Sequence, residues 1–296
     1  LGTIINSKVA QYVIEVTTLK RWLTIMALMF IVVGCRNGET NNSLVETDLQ
    51  AHEPDEGIII EEKEEENPTL SESDTEMEDA VVEKKEAMYK INEKTWAVEP
   101  IEEANEKIVL LTIDDAPDKH GLEMAHTLKA LGVKAIFFVN GHFIDTEDEA
   151  AVLKEIYDLG FPIGNHTFSH QNLTTLEKKE QLKEIVSVND RVEEITGERP
   201  RFFRAPFGVN TDESRKIAAE ENMLIMNWTY GYDWEKEYQN KEALTQIMLN
   251  SPYLNHGANL LMHDRAWTSE ALEGIVKGLQ EKGYEIVDPN LLKMPE

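Results

Sequence analysis

Ile108-Val109-Leu110-Leu111-Thr112-Ile113-Asp114-Asp115 decides how the rest of the chain is read. The first six residues carry no charge and no turn former, so they predict a buried strand of a mainly parallel sheet. Two carboxylates then follow at its end. Working outward, further short apolar runs predict strands at Ala135–Val139, Arg201–Phe203, Leu224–Met226, Asn259–Met262 and Tyr284–Val287. Amphipathic segments lie between them. Thr174-Thr175-Leu176-Glu177 has capping-box spacing ahead of a long helix to about Ile195. Asn210-Thr211-Asp212 opens a helix to about Glu221, Asn240 opens one to about Leu249, and Thr268 opens the last, which stops before Gly283. This alternation predicts an α/β domain over residues 96–296, a single barrel-like unit of about 200 residues.

Ahead of Trp96 the text is different. The net charge of −27 is extreme, and much of it falls between Arg36 and Lys94, where acidic residues outnumber basic ones about threefold. Apart from Ile58-Ile59-Ile60 that stretch has little apolar surface to offset the entropy of ordering. It reads as a disordered acidic tether over residues 35–95, kept extended by its own charge. So acidic a protein repels phosphate backbones and anionic lipid at long range, and no nucleic-acid partner is expected.

The single cysteine excludes an intrachain disulfide. Lys20 and Arg21 precede an apolar run from Trp22 to Gly34, which ends in Val32-Val33-Gly34-Cys35. The run is shorter than the roughly 20 apolar residues that span a bilayer. Residues 1–34 resemble a bacterial lipoprotein signal, with Cys35 as the lipidated residue and the mature protein held outside the cytoplasm on the membrane. An uncleaved signal anchor and a buried hydrophobic helix are the plainer readings. The chain begins with Leu, and the basic n-region places the expected translation start near Leu19.

The polar residues that follow the predicted strands are Asp114 and Asp115, then Asn165, His166 and His170, then Arg204, then Asp233 and Trp234, then His263 and Asp264. In a barrel of parallel strands the carboxyl ends of the strands build the active site, so separate segments deliver ionisable groups to one rim. Each has a plain structural reading as well: an exposed Asp-Asp-Ala-Pro turn, a surface ion pair at Arg204, core filling by Trp234, a satisfied buried imidazole at His263. Consecutive side chains on an extended strand diverge, so Asp114 and Asp115 can serve different tasks. His166 and His170, at i and i+4, can share one face of a helical turn and converge on an ion. With Asp115 they make two imidazoles and one carboxylate, a set that leaves open positions of the kind catalytic zinc keeps. Without a thiolate, cobalt, manganese or nickel also fits such donors.

Taken in order, Thr112-Ile113-Asp114-Asp115, His166-Thr167-Phe168-Ser169-His170, Arg204-Ala205-Pro206-Phe207-Gly208, Asp233-Trp234 and Leu261-Met262-His263-Asp264 resemble the five motifs of the polysaccharide deacetylases, carbohydrate esterase family 4. The resemblance spans roughly residues 106–290. It implies a distorted (β/α) barrel with fewer than eight regular units. It implies one divalent metal, zinc first, on Asp115, His166 and His170, with Asp114 as catalytic base and Arg204 orienting that base. It further implies the Phe207 N–H at the oxyanion, His263 as general acid tuned by Asp233, and Trp234 and Leu261 around the acetyl group.

Three departures from the family pattern bear on this. Ala116 stands where a glycine usually follows the Asp pair, which predicts lost φ freedom and narrower access beside the base. Tyr230 stands where a second aspartate often precedes Asp233, leaving Asp233 alone to tune His263. Phe207 replaces a frequent tyrosine, which is harmless if only its backbone acts. The expected activity is removal of N-acetyl groups from a cell-wall glycan, N-acetylglucosamine of peptidoglycan first. An O-acetyl esterase acting on wall polymer or xylan is one alternative, and a catalytically silent glycan-binding lipoprotein is the other. Oligomeric state is not legible in the sequence.

Overall fold

The computed structural model describes residues 86–295. Cys35, the signal-like segment and most of the acidic stretch lie outside those residues. No helix among the described residues is long and apolar enough to cross a membrane.

The folded region takes in residues ahead of Trp96. Strand β1 (Tyr89–Ile91) pairs antiparallel with β2 (Val98–Pro100), and Tyr89 also bridges to Leu292. Tyr89 is buried among Ile108, Leu110, Phe202 and Val287, so one aromatic anchors a stretch that composition alone assigns to the tether.

Strand β3 (Ile108–Ala116) is the central strand and runs through the Asp pair instead of ending before it. The remaining elements follow as α1 (Gly121–Ala130), β4 (Ile136–Val139), α2 (Glu147–Asp158), β5 (Ile163–Asn165), α3 (Lys178–Thr196), β6 (Phe202–Phe203), α4 (Asp212–Glu220), β7 (Leu224–Ile225), α5 (Lys241–Asn250), β8 (Ala258–His263), α6 (Ala266–Glu281) and β9 (Glu285–Ile286). The sheet order is β7-β6-β5-β4-β3-β8, with β9 also on β3, and every pairing in it is parallel. The sheet curls into a half-barrel, the distorted (β/α) barrel expected, with α-helices after β3 through β8.

The period of two along β3 sorts the core into layers. Val109, Leu111 and Ile113 join the larger apolar cluster with Leu128 and Leu272 from the helices, whereas Ile108 and Leu110 join Ile136, Phe138 and Phe202. Thr112 and Asp114 continue the second series, and Arg204 bonds to both.

Two helix starts differ from expectation. Thr174 and Thr175 spend their hydroxyls on Asn172 in a short 3-10 turn, so the capping box forms three residues later between Glu177 and Glu180 and α3 begins at Lys178. Helix α6 begins at Ala266, ahead of Thr268, because the Thr268 hydroxyl bonds to Asp233 and does not cap. Helices α1 and α2 are additions to the expected set, the latter opened by a capping box between Thr146 and Glu149.

Candidate active site at the carboxyl ends of the strands

A cleft of about 540 Å³ is lined by Asp114, Asp115, His166, His170, Asp233 and His263, with Phe207, Trp234 and Leu261 among its apolar walls. These groups come from five separate segments, brought to one rim as the carboxyl-end rule expects.

How both carboxylates reach one cleft is a matter of backbone. Ile113 pairs with Phe137 and Ala116 with Val139, so β3 spends one more residue than β4 over that interval. Such a bulge re-aims side chains and is common beside active sites. Asp115 takes φ 56°, a left-handed conformation that a residue with a Cβ rarely adopts. Ile113 and Ala116 both stay in the helix-side core while the two residues between them line the cleft. The divergence expected of consecutive strand residues is therefore cancelled at this point.

His166 and His170 do not lie on a helical turn. They sit in the loop after β5, where Thr167 has φ 67° and His170 φ 56°. One local and three distant bonds hold that loop: Asn165 Oδ1 accepts from the Thr167 N–H, while on α3 the Glu184 carboxylate accepts from the Ser169 N–H and hydroxyl and the Glu184 carbonyl accepts from the Phe168 N–H. Phe207, at φ 60°, lies with its ring 5.0 Å from that of His170. Asp115, Thr167, His170 and Phe207 are four of seven non-glycine residues with positive φ among those described. Backbone strain of this kind gathers at functional sites and costs of order 1–3 kcal/mol per residue.

Asp115, His166 and His170 each bring one ligand atom within 4.8 Å of the others, making a possible metal site. Asp115 Oδ1 stands 3.9 Å from His166 Nε2 and 3.6 Å from His170 Nε2, beyond ordinary hydrogen-bond length. The donors face one another across a gap. His166 Nδ1 lies 2.7 Å from the Arg204 carbonyl, which can only accept, so Nδ1 carries the proton and Nε2 offers its lone pair to the gap. This donor set fits a divalent ion.

Burial pushes the Asp115 carboxyl up, but His166, His263, His170 and Arg265 together outweigh it and hold it below its ordinary range. Burial, with His166 close by, lowers His170 despite the nearby Asp115 and Asp114, which favours the neutral imidazole a metal requires.

Asp114 is buried, and Arg204 Nη1 donates to its Oδ1 at 2.6 Å. Arg204 is wholly buried, and its remaining donors reach Thr112 Oγ1 and the Met226 and Asn227 carbonyls. Its guanidinium also lies 4.2 Å from the centre of the Phe138 ring. Across the cleft floor, Asp233 Oδ1 stands 2.7 Å from His263 Nδ1, and Oδ2 accepts from the His263 N–H and the Thr268 hydroxyl. Burial lowers the His263 pKa, but the bond and charge of Asp233, with Asp114 and Asp115, raise it further than burial lowers it. Trp234 stands edge-on to His263 with ring centres 5.6 Å apart, and remains 44% exposed at the lip.

The polysaccharide deacetylase profile matches residues 101–226. Over 219 residues the chain is 30% identical to the peptidoglycan-N-acetylmuramic acid deacetylase PdaA of Bacillus subtilis, covering 69% of this chain and 74% of the relative. The chain belongs to the polysaccharide deacetylase family. It is 34% identical to the peptidoglycan-N-acetylmuramic acid deacetylase PdaC of Bacillus subtilis, covering 64% of this chain but only 39% of that longer protein. The peptidoglycan-N-acetylglucosamine deacetylase of Bacillus cereus is 30% identical over 62% of this chain and 67% of its own length. Among solved structures, PdaC superposes with a TM-score of 0.55 at 32% identity, over 62% of this chain and 88% of that one. A pseudoenzyme of the same family from Bacillus anthracis superposes with a TM-score of 0.55 at 33% identity, over 62% of this chain and 63% of that one.

Against the family pattern, the departures resolve physically. The positive φ of the first motif falls on Asp115, while Ala116 is fully buried and lies outside the cleft lining, so its methyl does not narrow access. Tyr230 is buried with its hydroxyl donating to the Met248 carbonyl, so that position serves packing. Trp267 and Arg265 were not singled out from sequence, and Asp264, named there as a strand-end residue, was given no role. Asp264 accepts from the N–H groups of Asp118, His120 and Gly121, pinning the β3–α1 loop to the end of β8. A Cβ at Gly121 would meet Asp264 Oδ2 at 2.8 Å, which is why that approach takes glycine. Trp267 Nε1 donates to the Asp233 carbonyl. Arg265 reaches Asp115. The only sequence signal for Arg265 and Trp267 was nearness to the last motif.

Proposed function

We propose that this domain is a metal-dependent hydrolase that removes N-acetyl groups from a cell-wall glycan, N-acetylglucosamine residues of peptidoglycan foremost. The observation that carries the reading is the convergence, in one cleft, of three facing donors with two separately tethered acid–base groups.

Asp115, His166 and His170 are the residues that would hold the ion. A divalent ion held there, zinc first and cobalt, manganese or nickel as alternatives, would supply Lewis acidity, lowering the pKa of the attacking water toward neutrality and polarising the acetyl carbonyl. Asp114 takes the proton of the attacking water, and Arg204 keeps that carboxylate aimed. The water oxygen bonds to the acetyl carbon, and the Phe207 N–H donates to the oxyanion that forms. A lost donor to such an oxyanion costs about 2.7–4 kcal/mol. His263 gives its proton to the amide nitrogen as the C–N bond breaks, releasing acetate and leaving a free amine on the sugar. Trp234 and Leu261 enclose the acetyl methyl.

The relatives named above act on amino sugars of peptidoglycan, which supports that polymer as substrate. The sequence pattern around Cys35 supports a lipid-anchored, extracytoplasmic placement. Membrane fractionation of Cys35→Ala tests it, since a released protein is expected. The full chain, loaded with zinc, should release acetate from peptidoglycan, with mass spectrometry locating the free amine on glucosamine. Acetate from O-acetylated xylan alone favours the esterase reading, and none from any acetylated glycan overturns both.

A further inference from the structure

Arg265 stands one residue beyond the last motif, at the N-cap of α6. Its guanidinium has two anchors. Nη2 donates to Asp115 Oδ2 at 2.7 Å, and Nη1 donates to the Asp264 carbonyl at 2.8 Å. The other oxygen of the same carboxylate, Asp115 Oδ1, is the one that faces His166 Nε2 and His170 Nε2. The two oxygens of Asp115 are thus divided between the gap and the guanidinium.

We propose that Arg265 is a positioning residue for Asp115, holding its carboxylate as a one-oxygen ligand and so setting the metal affinity and coordination number of the site. This rests on reading Asp115, His166 and His170 as the metal donors. Asp115 needs such a tie, because it sits in a bulge at positive φ where the strand no longer dictates its direction. His166 already has its counterpart in the bond from Nδ1 to the Arg204 carbonyl. Arg, with its rigid fork, can hold both acceptors at once, and a lysine ammonium on a flexible stem cannot reproduce that geometry.

Two effects oppose each other. The positive charge of Arg265 repels a divalent ion and draws electron density from the ligand, which weakens binding. The fixed orientation of Oδ1 strengthens it. The Arg265 side chain is 35% exposed at the cleft edge, so solvent screens its charge, whereas an orientation is not screened. Orientation wins, and removing Arg265 weakens binding.

The test is zinc affinity of the full chain, read by competition with a chromogenic chelator, together with the visible spectrum of the cobalt form. Arg265→Ala should weaken zinc binding about 10–100-fold, the usual cost of losing a partner that orients a metal ligand. Arg265→Lys should lose nearly as much. In Arg265→Ala the freed Oδ2 can join the ion, so the cobalt bands should weaken as coordination number rises. A purely structural role would not move those bands. If Arg265→Ala does not fold, Arg265→Gln carries the same test with the same expected direction. Zinc binding equal to or tighter than that of the unsubstituted chain overturns the proposal, as does full affinity in Arg265→Lys. His170→Ala separates the two layers: abolished binding upholds the metal site, and undiminished binding overturns that reading whatever Arg265 does.

Discussion

Arg199 and Arg204 flank the two ends of strand β6 and illustrate two uses of one side chain. Arg199 lies at the amino end, about a third exposed, with its guanidinium shared among Glu193, Asp190 and Glu221 at 2.6–2.9 Å. Burial pulls its pKa down, but those three carboxylates raise it more. Arg204 lies at the carboxyl end, wholly buried, with the single carboxylate of Asp114 and a set of neutral oxygens. There burial dominates and lowers its pKa against the pull of Asp114, although a guanidinium stays charged. An exposed network is an inexpensive contribution to stability. A buried charge with one ionic partner is a costly one, and its presence at the cleft is accounted for by what it does to Asp114.

The comparison can be broken most severely at Arg204. Arg204→Met leaves Asp114 buried and unpaired, so denaturant unfolding should show a loss of about 3–5 kcal/mol, and acetate release should vanish. A variant that kept near-normal activity would show that the pair is only structural. Asp114→Asn is gentler on the fold, since the amide can still accept from Arg204. Acetate release should fall by about 10²–10⁴-fold while zinc affinity is retained, which separates base from ligand.

The fold, and which residues gather in the cleft, were largely legible in the sequence, and the physical reason is local. A strand core without charges, such as Ile108–Ile113, and polar residues placed at strand ends are properties of short windows. What was not legible depends on contacts between distant segments. The bulge at Asp114–Asp115 exists only against β4, and without it the two side chains would part. The i, i+4 spacing of His166 and His170 correctly indicated convergence but for the wrong reason, because bonds to Glu184 on α3 and positive φ values shape a loop there. Arg265 lies 150 positions from Asp115 in sequence, and no window shows that pair. The start of α3 was misplaced because Asn172 claimed the threonine hydroxyls.

A smaller effect sharpens the comparison on the other side of the cleft. His263 is held above its ordinary pKa by Asp233, so the folded state favours the protonated ring. Its contribution to stability is fully present below the unfolded pKa and is lost as pH rises through the folded one. Protonated His263 is also the acid the reaction needs. Asp233→Asn should therefore move the alkaline limb of kcat/KM to lower pH, checked by pH–rate profiles at fixed zinc. An unmoved limb would assign that titration to another group.

The smallest effect belongs to Arg199. Arg199→Ala should cost about 1 kcal/mol or less in unfolding experiments, as exposed pairs do, and leave acetate release unchanged. A large loss of activity would show that the amino end of β6 is coupled to the cleft.

The central claim is that Asp115, His166 and His170 form one metal centre that drives hydrolysis. It is tested most directly by stripping the full chain of metal and titrating zinc back while measuring acetate released from peptidoglycan. Acetate release should climb to a plateau at one zinc per chain and stay at baseline throughout in His170→Ala. Release from the stripped chain that ignores added zinc, or no release at any zinc concentration, would contradict the account.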